Sequence, residues 1–432
     1  MKNKKLNTVL HELHAFLPLW ATQSLSALGS SMTSYALIIW SYKQQGSALS
    51  TALLSVCSYA PYVLLSIFAG TFSDKWNKKY TMLVCDSLAI LSTVVVFILF
   101  KNNQLEIWHL YLLNMLNGFM NTVQQPASDV AVTLLTPRNR YQQVSALRAF
   151  SNSLVTVMTP VLATSVLAFG GLSAVITFDF LTFAVAFLTL LLFIRIPTTQ
   201  DETKETLSYL QATKEGIRYL KEHRGILDFM FFLAAINLIA SIYNAALPAM
   251  LLSRNGGSNT ALGMVNTFTG IANLLGSICV LFYPTPKNRS KVICNSLLFS
   301  MSTENFLLAF GRSTPVWCLG AVLGWFTIPI MNTNLNALFR SYIPANMQGR
   351  IYSIRNSFQF FTIPIGYLLG GFLVDRVFEP FMAAQPKDSI FLKLFGGGLG
   401  SGAAFLFFIL GFAGMGVCLF FRRDRYIREL ES

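Results

Sequence analysis

The stretch Gly70–Tyr80, which reads G-T-F-S-D-K-W-N-K-K-Y, lies between two long apolar runs. It carries one acid, three lysines and a helix-breaking glycine, whereas both flanks are too apolar to face water. A short charged segment between two such runs is typical of a tight turn between membrane helices, and its lysines favour the cytoplasmic side. The rest of the chain is therefore expected to cross a membrane many times.

The composition supports this interpretation. Of the 432 residues, 53% are hydrophobic and only 12% are charged. A membrane crossing needs a helix of about 20 apolar residues, because hydrocarbon offers no partner to an open backbone amide. About a dozen such runs follow one another along the chain, which predicts an all-α membrane protein embedded in a lipid bilayer.

The charges and the cysteines argue against several other classes of function. The net charge is +13, but the basic residues lie in short loops and not on one face, so no nucleic-acid partner is expected. The six cysteines fall within apolar runs and lack metal-ligand spacing. Neither a catalytic arrangement nor a phosphate-binding glycine loop is convincing. We therefore expect no enzyme activity, no metal and no cofactor, and transport driven by ATP is not expected either.

Twelve helices are predicted, in two halves over residues 1–196 and 225–432. Residues 197–224 form a cytoplasmic linker with an amphipathic helix, because Leu207, Leu210, Ile217 and Leu220 share one stripe. The outer loop Arg376–Gly397 has no predicted function. The predicted helices are Phe16–Tyr42, Ser50–Phe72, Tyr80–Phe100, Ile107–Thr136, Tyr141–Ala168, Leu172–Ile194, Gly225–Leu252, Ala261–Phe282, Val292–Phe310, Pro315–Tyr342, Gln348–Val374 and Gly398–Phe421.

Two patterns support this organisation. Most of the 32 lysines and arginines fall in segments that are cytoplasmic if both termini are cytoplasmic. The stretch Pro137–Arg148 also matches Pro344–Arg355 at its two ends and at an internal asparagine, so helices four and five correspond to helices ten and eleven. Parallel six-helix halves with a site between them are typical of a transporter that alternates between two accesses.

With these features the chain resembles a major facilitator superfamily transporter. The family's hairpin pattern, roughly G-x-x-x-D-x-x-x-[RK]-[RK], is met by Gly70, Asp74, Lys78 and Lys79. The resemblance implies a multi-pass monomer in the bacterial inner (plasma) membrane. It also implies a small-molecule substrate and energy from an ion gradient.

Several short sequence motifs are similar to those of the macrolide-efflux type of drug exporter, notably Ala60-Pro-Tyr and Gly370-Gly-Phe-Leu-Val-Asp375. Two positions depart from proton-coupled and drug-exporting members. Asn114 stands where many carry an arginine in helix four, and Val157-Met-Thr-Pro160 replaces a glycine-rich run in helix five.

Six charged residues are candidates for gating: Asp74, Lys78, Lys79, Asp129, Arg148 and Arg355. Asp74 is expected beside the start of helix eleven, where free amides and the helix dipole stabilise a carboxylate by about 0.3–1 kcal/mol at an exposed site. The alternative is a solvated loop acid. Arg148 and Arg355 are expected to brace helix ends by pairing with acids or capping carbonyls, with substrate binding as the alternative.

Three acids within predicted helices, Asp86, Asp179 and Glu304, are candidates for proton coupling. A carboxyl group in hydrocarbon is costly and so suggests a function. The alternative for each is a hydrogen-bonded structural acid that is packed away from any cavity.

Neutral polar residues describe a candidate substrate cavity, expected to be wide and mostly apolar, as suits a bulky amphipathic substrate. The candidates are Gln23, Asn117, Asn121, Gln124, Gln125, Asn237, Tyr243, Asn244, Asn332, Asn334, Asn336 and Gln359. The predicted function is a secondary transporter that exports hydrophobic drugs or macrolide-like compounds in exchange for protons or another ion. A carrier of a native metabolite such as a siderophore, peptide or lysolipid is the first alternative, and a transport-inactive receptor or scaffold is the second.

Overall fold

The structure, a computed structural model, describes residues 12–75, 77–137, 140–196, 209–254, 257–282, 286–343 and 345–429. Within these ranges every regular element is a helix and no strand occurs. The chain divides into two compact units: Met1–Gln44 with Cys57–Glu202, and Gln45–Val56 with Thr203–Ser432. The N-terminal part of the second predicted helix, up to Val56, therefore belongs to the second unit, and the remainder belongs to the first.

The N-terminal part of the chain forms six long helices. They are α1 (Phe16–Gln45), α2 (Ala48–Lys75), α3 (Lys78–Lys101), α4 (Ile107–Leu135), and α5 and α6, which together form the stretch Tyr141–Leu192. This stretch changes direction at Gly171, whose φ of 64° lies where a side chain is unfavourable. The glycine thus separates α5 (141–170) from α6 (172–192), as the sequence predicts.

The rest of the chain is also helical. Its elements are α7 (Tyr209–Glu222), α8 (Arg224–Ser253), α9 (Asn259–Phe282), α10 (Arg289–Phe310), α11 (Thr314–Phe326), α12 (Ile328–Tyr342), α13 (Ala345–Phe372), a π-helical segment (Leu373–Phe378), α14 (Glu379–Ala383), α15 (Ile390–Phe395), α16 (Ser401–Arg423) and α17 (Arg425–Glu429). If α11 and α12 count as one interrupted helix, the described residues hold twelve long helices. Eight described spans are long and apolar enough to cross a membrane, and the span Phe150–Leu192 contains two of the twelve. The predicted all-α membrane fold is confirmed.

Helix ten was predicted as one segment, but the structure interrupts it at Thr327. Pro329 follows two residues later, and a proline removes a backbone donor from the helix. The Thr327 hydroxyl donates to the carbonyl oxygen of Ser296 at 3.1 Å. The break is therefore anchored to α10.

The predicted end of helix eleven at Val374 is wrong, because the helix continues through the π-helical segment to Ala383. The following segment is also structured, since the rings of Phe381 and Phe391 both pack on Phe405 of α16. Arg254, only 6% exposed, donates to the carbonyl oxygen of Phe395 at 2.8 Å and to two carbonyls at the end of α10. Burial, and then the charge of Arg312, lowers the pKa of Arg254 to about 10. These contacts hold residues 376–397 against the rest of the second unit.

The linker contains the expected helix, α7. Its Leu220 is buried in a cluster with Phe229 and Leu338, and the hydroxyl of Tyr219 donates to the carbonyl oxygen of Tyr342 at 3.0 Å. Ile217, predicted on the same apolar stripe, is 43% exposed. The side chains of Leu207 and Leu210 lie outside the described residues.

Candidate functional site

The first unit holds a cavity of about 350 Å³ between α1, α3, α4 and α6, with Ser58 of α2 in its wall. Sixteen of its twenty-four lining residues are polar, so it favours groups that form hydrogen bonds. The wide, mostly apolar pocket that the sequence predicts across both halves stays a prediction. Among the predicted candidates the observed cavity brings together Gln23, Asp86, Asn117, Asn121, Gln124, Gln125 and Asp179.

The cavity wall follows from the spacing of polar residues. On α4, Asn114, Asn117, Asn121 and Gln124 recur at steps of three and four residues, and therefore share one helix face. On α1, Gln23, Ser26, Ser30 and Thr33 recur in the same way. At about 1.5 Å per residue, the lining positions of α1 from Gln23 to Leu37 span roughly 20 Å, so the cavity is a cleft along the helices.

The two carboxylates of the cleft have different surroundings. Asp86 is 3% exposed, and its Oδ1 accepts a hydrogen bond from Nε2 of Gln124 at 2.6 Å. Asp179 is also 3% exposed, and its Oδ1 accepts from the hydroxyl of Ser30 at 3.0 Å. A Cβ atom at Gly29 would lie 3.0 Å from Cα of Asp179, so this glycine permits the close approach of α1 and α6.

Both acids of the cleft have a further polar neighbour on α1. The side chain of Gln23 lies beside Asp86 and that of Thr33 beside Asp179, each placed to donate to the carboxylate. Helix α1 therefore supplies polar partners to both acids.

Glu304 lies in the second unit. It is 6% exposed, and its Oε1 accepts from the Tyr243 hydroxyl at 2.5 Å and from Nε1 of Trp325 at 3.0 Å. A Cβ atom at Gly324 would approach Oε2 of Glu304 to 2.5 Å. The carboxylate therefore links α8, α10 and α11. Tyr243, a predicted cavity residue, uses its hydroxyl for this hydrogen bond.

The remaining amide candidates are distributed over three helices of the second unit. Asn237 on α8 and Gln359 on α13 are half-buried, whereas Asn244, Asn332 and Asn336 are exposed. Asn334 is buried and donates to the carbonyl oxygen of Ile330 at 2.9 Å. It therefore stabilises its own helix, and the cavity role of the other five stays a prediction.

Two of the predicted gating residues form an ion pair. Nη2 of Arg148 lies 2.6 Å from Oδ1 of Asp129, and the two side chains are 36% and 50% exposed. In the second unit, the guanidinium of Arg355 lies 5.5 Å from the ring centroid of Phe339. Each arginine lies near the N-terminal end of its own helix and contacts a neighbouring helix there.

The hairpin candidates are described in part. Nζ of Lys79 donates to the carbonyl oxygens of Leu191 at 2.9 Å and Ile194 at 2.7 Å, where a cation is favourable at the end of α6. The side chain of Lys78 is half-buried. Asp74 lies in the last turn of α2, and its side chain is outside the described residues. Its predicted latch and the gating role of both lysines therefore stay predictions.

A family model described as Major Facilitator Superfamily matches residues 19–367. The chain belongs to the major facilitator superfamily. The match covers both units and most of the long helices, so this superfamily member is a multi-pass membrane transporter for small molecules and not an enzyme.

The superfamily member is similar to two named exporters. Macrolide efflux protein A of Streptococcus pyogenes is 21% identical over 366 residues, which cover 84% of this chain and 90% of that protein. The enterobactin exporter EntS of Citrobacter koseri is 22% identical over 355 residues, which cover 80% of this chain and 82% of that protein. The resemblance to the macrolide-efflux type that the sequence predicts is therefore confirmed.

Among solved structures, this transporter is similar to a mutant form of the nucleoside transporter NupG. The TM-score is 0.70 at 14% identity, and the match covers 94% of this chain and 98% of the other. This similarity concerns the fold.

The sequence prediction missed the hydroxyl groups of the cleft. Ser26, Ser30, Thr33 and Ser92 line it, although serine and threonine are common within membrane helices and attract little notice singly. The recurrence of Ser26, Ser30 and Thr33 every three or four residues on α1, in register with Gln23, was the available signal.

Proposed function

We propose that this protein is a secondary active transporter that exports hydrophobic, macrolide-like compounds in exchange for protons by alternating access. The observation that carries the proposal is the cleft in which Asp86 and Asp179 are both buried among polar groups. The similarity to a protein named for macrolide efflux supports the substrate class.

Asp86 and Asp179 are the proposed proton carriers. A carboxyl group inside a membrane protein must hold a proton or another cation when no basic partner is near, because an isolated buried charge is very costly. None of the described residues that line the cleft is basic. Alternate exposure of the cleft to the two sides would let these acids exchange protons and substrate in turn.

Glu304 is proposed as a structural acid. Both donors on its Oε1 come from side chains of the second unit, and α11 packs directly against it at Gly324. If Glu304 carried the proton instead, its glutamine variant would lose proton-driven export.

The remaining elements take supporting roles in the proposal. The halves 1–196 and 225–432 move about the linker 197–224, with both termini in the cytoplasm, in a monomer. Asp74, Lys78, Lys79, Asp129, Arg148 and Arg355 control the inner side of the pathway. The Arg148–Asp129 ion pair supports the part assigned to these two residues.

A second candidate function is the export of a native metabolite such as a siderophore. The similarity to a protein named as an enterobactin exporter favours it. A substrate assay separates the two candidates.

The test is accumulation of a labelled macrolide in efflux-deficient cells that express the protein, with and without a protonophore. We expect lower accumulation in expressing cells, restored by the protonophore and by Asp179→Asn or Asp86→Asn. Asp388→Asn, the same change at an exposed position of the outer segment, is the matched control and should export normally. Unchanged accumulation of the macrolide, with secretion of a siderophore instead, would replace the first candidate by the second.

A further inference from the structure

A groove of about 560 Å³ runs along one face of α16 in the second unit. Its lining residues recur at steps of three and four and therefore share that face: Gly416, Leu419, Phe420, Arg423 and Asp424. Gly414, on the opposite face, is buried, and a Cβ atom there would lie 2.8 Å from Cβ of Met301 on α10. Because α16 is apolar enough to cross a membrane, the groove faces away from α10 and towards lipid.

The floor of the groove is apolar and open. Leu419 and Phe420 are 41% and 68% exposed, and a Cβ atom at Gly416 would meet nothing within 4 Å. At about 1.5 Å per residue, Gly416 and Arg423 lie roughly 10 Å apart along the helix axis, which is less than the roughly 15 Å of one hydrocarbon leaflet. The groove therefore has the direction and the length to take part of an acyl chain, with Arg423 at the level of the head groups.

The charged end of the groove holds one carboxylate that is already engaged and one guanidinium that is not. Oδ1 of Asp424 accepts a hydrogen bond from the amide of Ile427 at 3.0 Å, and Ile427 is 2% exposed in a cluster with Phe229 of α8. Asp424 thus holds α17 in place. Arg423 is exposed, and no ion pair joins it to any residue of the described ranges. Its guanidinium is therefore open to an anion.

Further arginines lie at this end of α16. The guanidinium of Arg224, at the start of α8, lies 5.2 Å from the ring centroid of Tyr426 on α17. A basic cluster directly beyond a membrane helix attracts anionic lipids. The local charge therefore favours a head group with a net negative charge. Four arginines fall within seven residues here: Arg422, Arg423, Arg425 and Arg428.

We infer that this groove binds an anionic phospholipid, with the phosphate on the guanidinium of Arg423 and one acyl chain on Gly416, Leu419 and Phe420. The planar guanidinium donates two parallel hydrogen bonds to a phosphate, which suits Arg423 to this part. The inference goes beyond the proposed function, because a bound lipid stays with the protein and is not its transported compound.

Lipid titration of the purified full-length protein, followed by native mass spectrometry, tests the inference. The probes are phosphatidylglycerol and phosphatidylethanolamine with identical acyl chains, because only the first carries a net negative charge. We expect phosphatidylglycerol to bind at least about fivefold more tightly, and Arg423→Gln to lower its affinity by about fivefold, the effect of one arginine at a membrane surface. Arg218→Gln on α7, where the side chain is 84% exposed, is the matched control and should leave the affinity unchanged.

Gly416→Leu tests the acyl-chain part of the groove without changing its charge. The new side chain fills the floor, so the affinity for phosphatidylglycerol should fall by at least about fivefold. Size-exclusion elution and thermal unfolding establish that each variant is folded. If Gly416→Leu does not fold, Phe420→Ala replaces it, because it removes an apolar wall of the same groove.

Three results would overturn the inference. Equal affinities of the native protein for the two lipids would show that the head group is not selected. An equal loss in Arg218→Gln and Arg423→Gln would show diffuse attraction to a basic surface. A loss in Arg423→Gln with full affinity in Gly416→Leu would indicate a site for a free phosphate group, with no acyl chain in the groove.

Discussion

Ser47 donates its hydroxyl to Oδ2 of Asp375 at 2.6 Å, and the amides of Ala48 and Leu49 donate to the same carboxylate at 3.0 and 2.8 Å. The acid of the π-helical segment therefore caps the N-terminus of α2, where the helix dipole also favours a negative charge. This contact explains why Gln45–Val56 belongs with the second unit.

Asp375→Ala should lower the stability of the protein, because it removes three hydrogen bonds from the start of α2. The expected loss is about 0.5–2 kcal/mol, the range measured for helix caps. Thermal unfolding of the purified protein checks it, with Asp388→Ala as the matched control at an exposed site. Equal unfolding temperatures for the two variants would show that the cap contributes nothing.

Gly324→Ala should destabilise the second unit. Its Cβ would meet Oε2 of Glu304 at 2.5 Å and Cβ of Glu304 at 2.7 Å, so α11 would have to move. We expect a loss of about 1–3 kcal/mol, typical of overpacking. Gly416→Ala on α16, which meets nothing within 4 Å, is the control and should be neutral or stabilising. A tolerated Gly324→Ala would mean that α10 and α11 can separate at little cost.

Glu304→Gln should retain protonophore-sensitive export, because the glutamine carbonyl still accepts from Tyr243 and Trp325. Glu304→Ala should be less stable by about 1–3 kcal/mol for each donor left without a partner. Drug accumulation and thermal unfolding measure the two effects. Loss of proton-driven export in a well-folded Glu304→Gln would instead assign the proton to Glu304.

Arg148→Ala should slow transport while changing stability by less than about 1 kcal/mol, because its pair with Asp129 is partly exposed. The double variant Arg148→Asp with Asp129→Arg restores opposite charges and should recover transport. Initial rates of export compare the three proteins. If the double variant is as slow as Arg148→Ala, the arginine does not act through this pair.

The sequence was sufficient for the helices and insufficient for their contacts. Runs of apolar residues predicted the twelve helices, and Gly171 lies between α5 and α6 as expected. The break at Thr327 and the continuation beyond Val374 were missed, since both depend on packing against α10 and α16.

For the candidate site, too, the sequence identified residues but not their contacts. Asp86 and Asp179 could be recognised as acids within apolar helices, but only the packing of α1 against α3, α4 and α6 places both in one cleft. Glu304 carries the same signal in sequence, yet Tyr243 and Trp325 enclose it in the second unit. A single sequence does not contain these distances between helices.

Proteoliposomes with the purified protein test the central claim, export of a macrolide-like compound in exchange for protons, most directly. Vesicles with an acidic interior are diluted into neutral buffer that contains a labelled macrolide, and uptake is followed with and without a protonophore. Vesicles without protein and vesicles with Asp179→Asn correct for passive entry. We predict uptake above both controls that the protonophore abolishes. Uptake equal to the protein-free vesicles, or uptake unaffected by the gradient, would contradict the account.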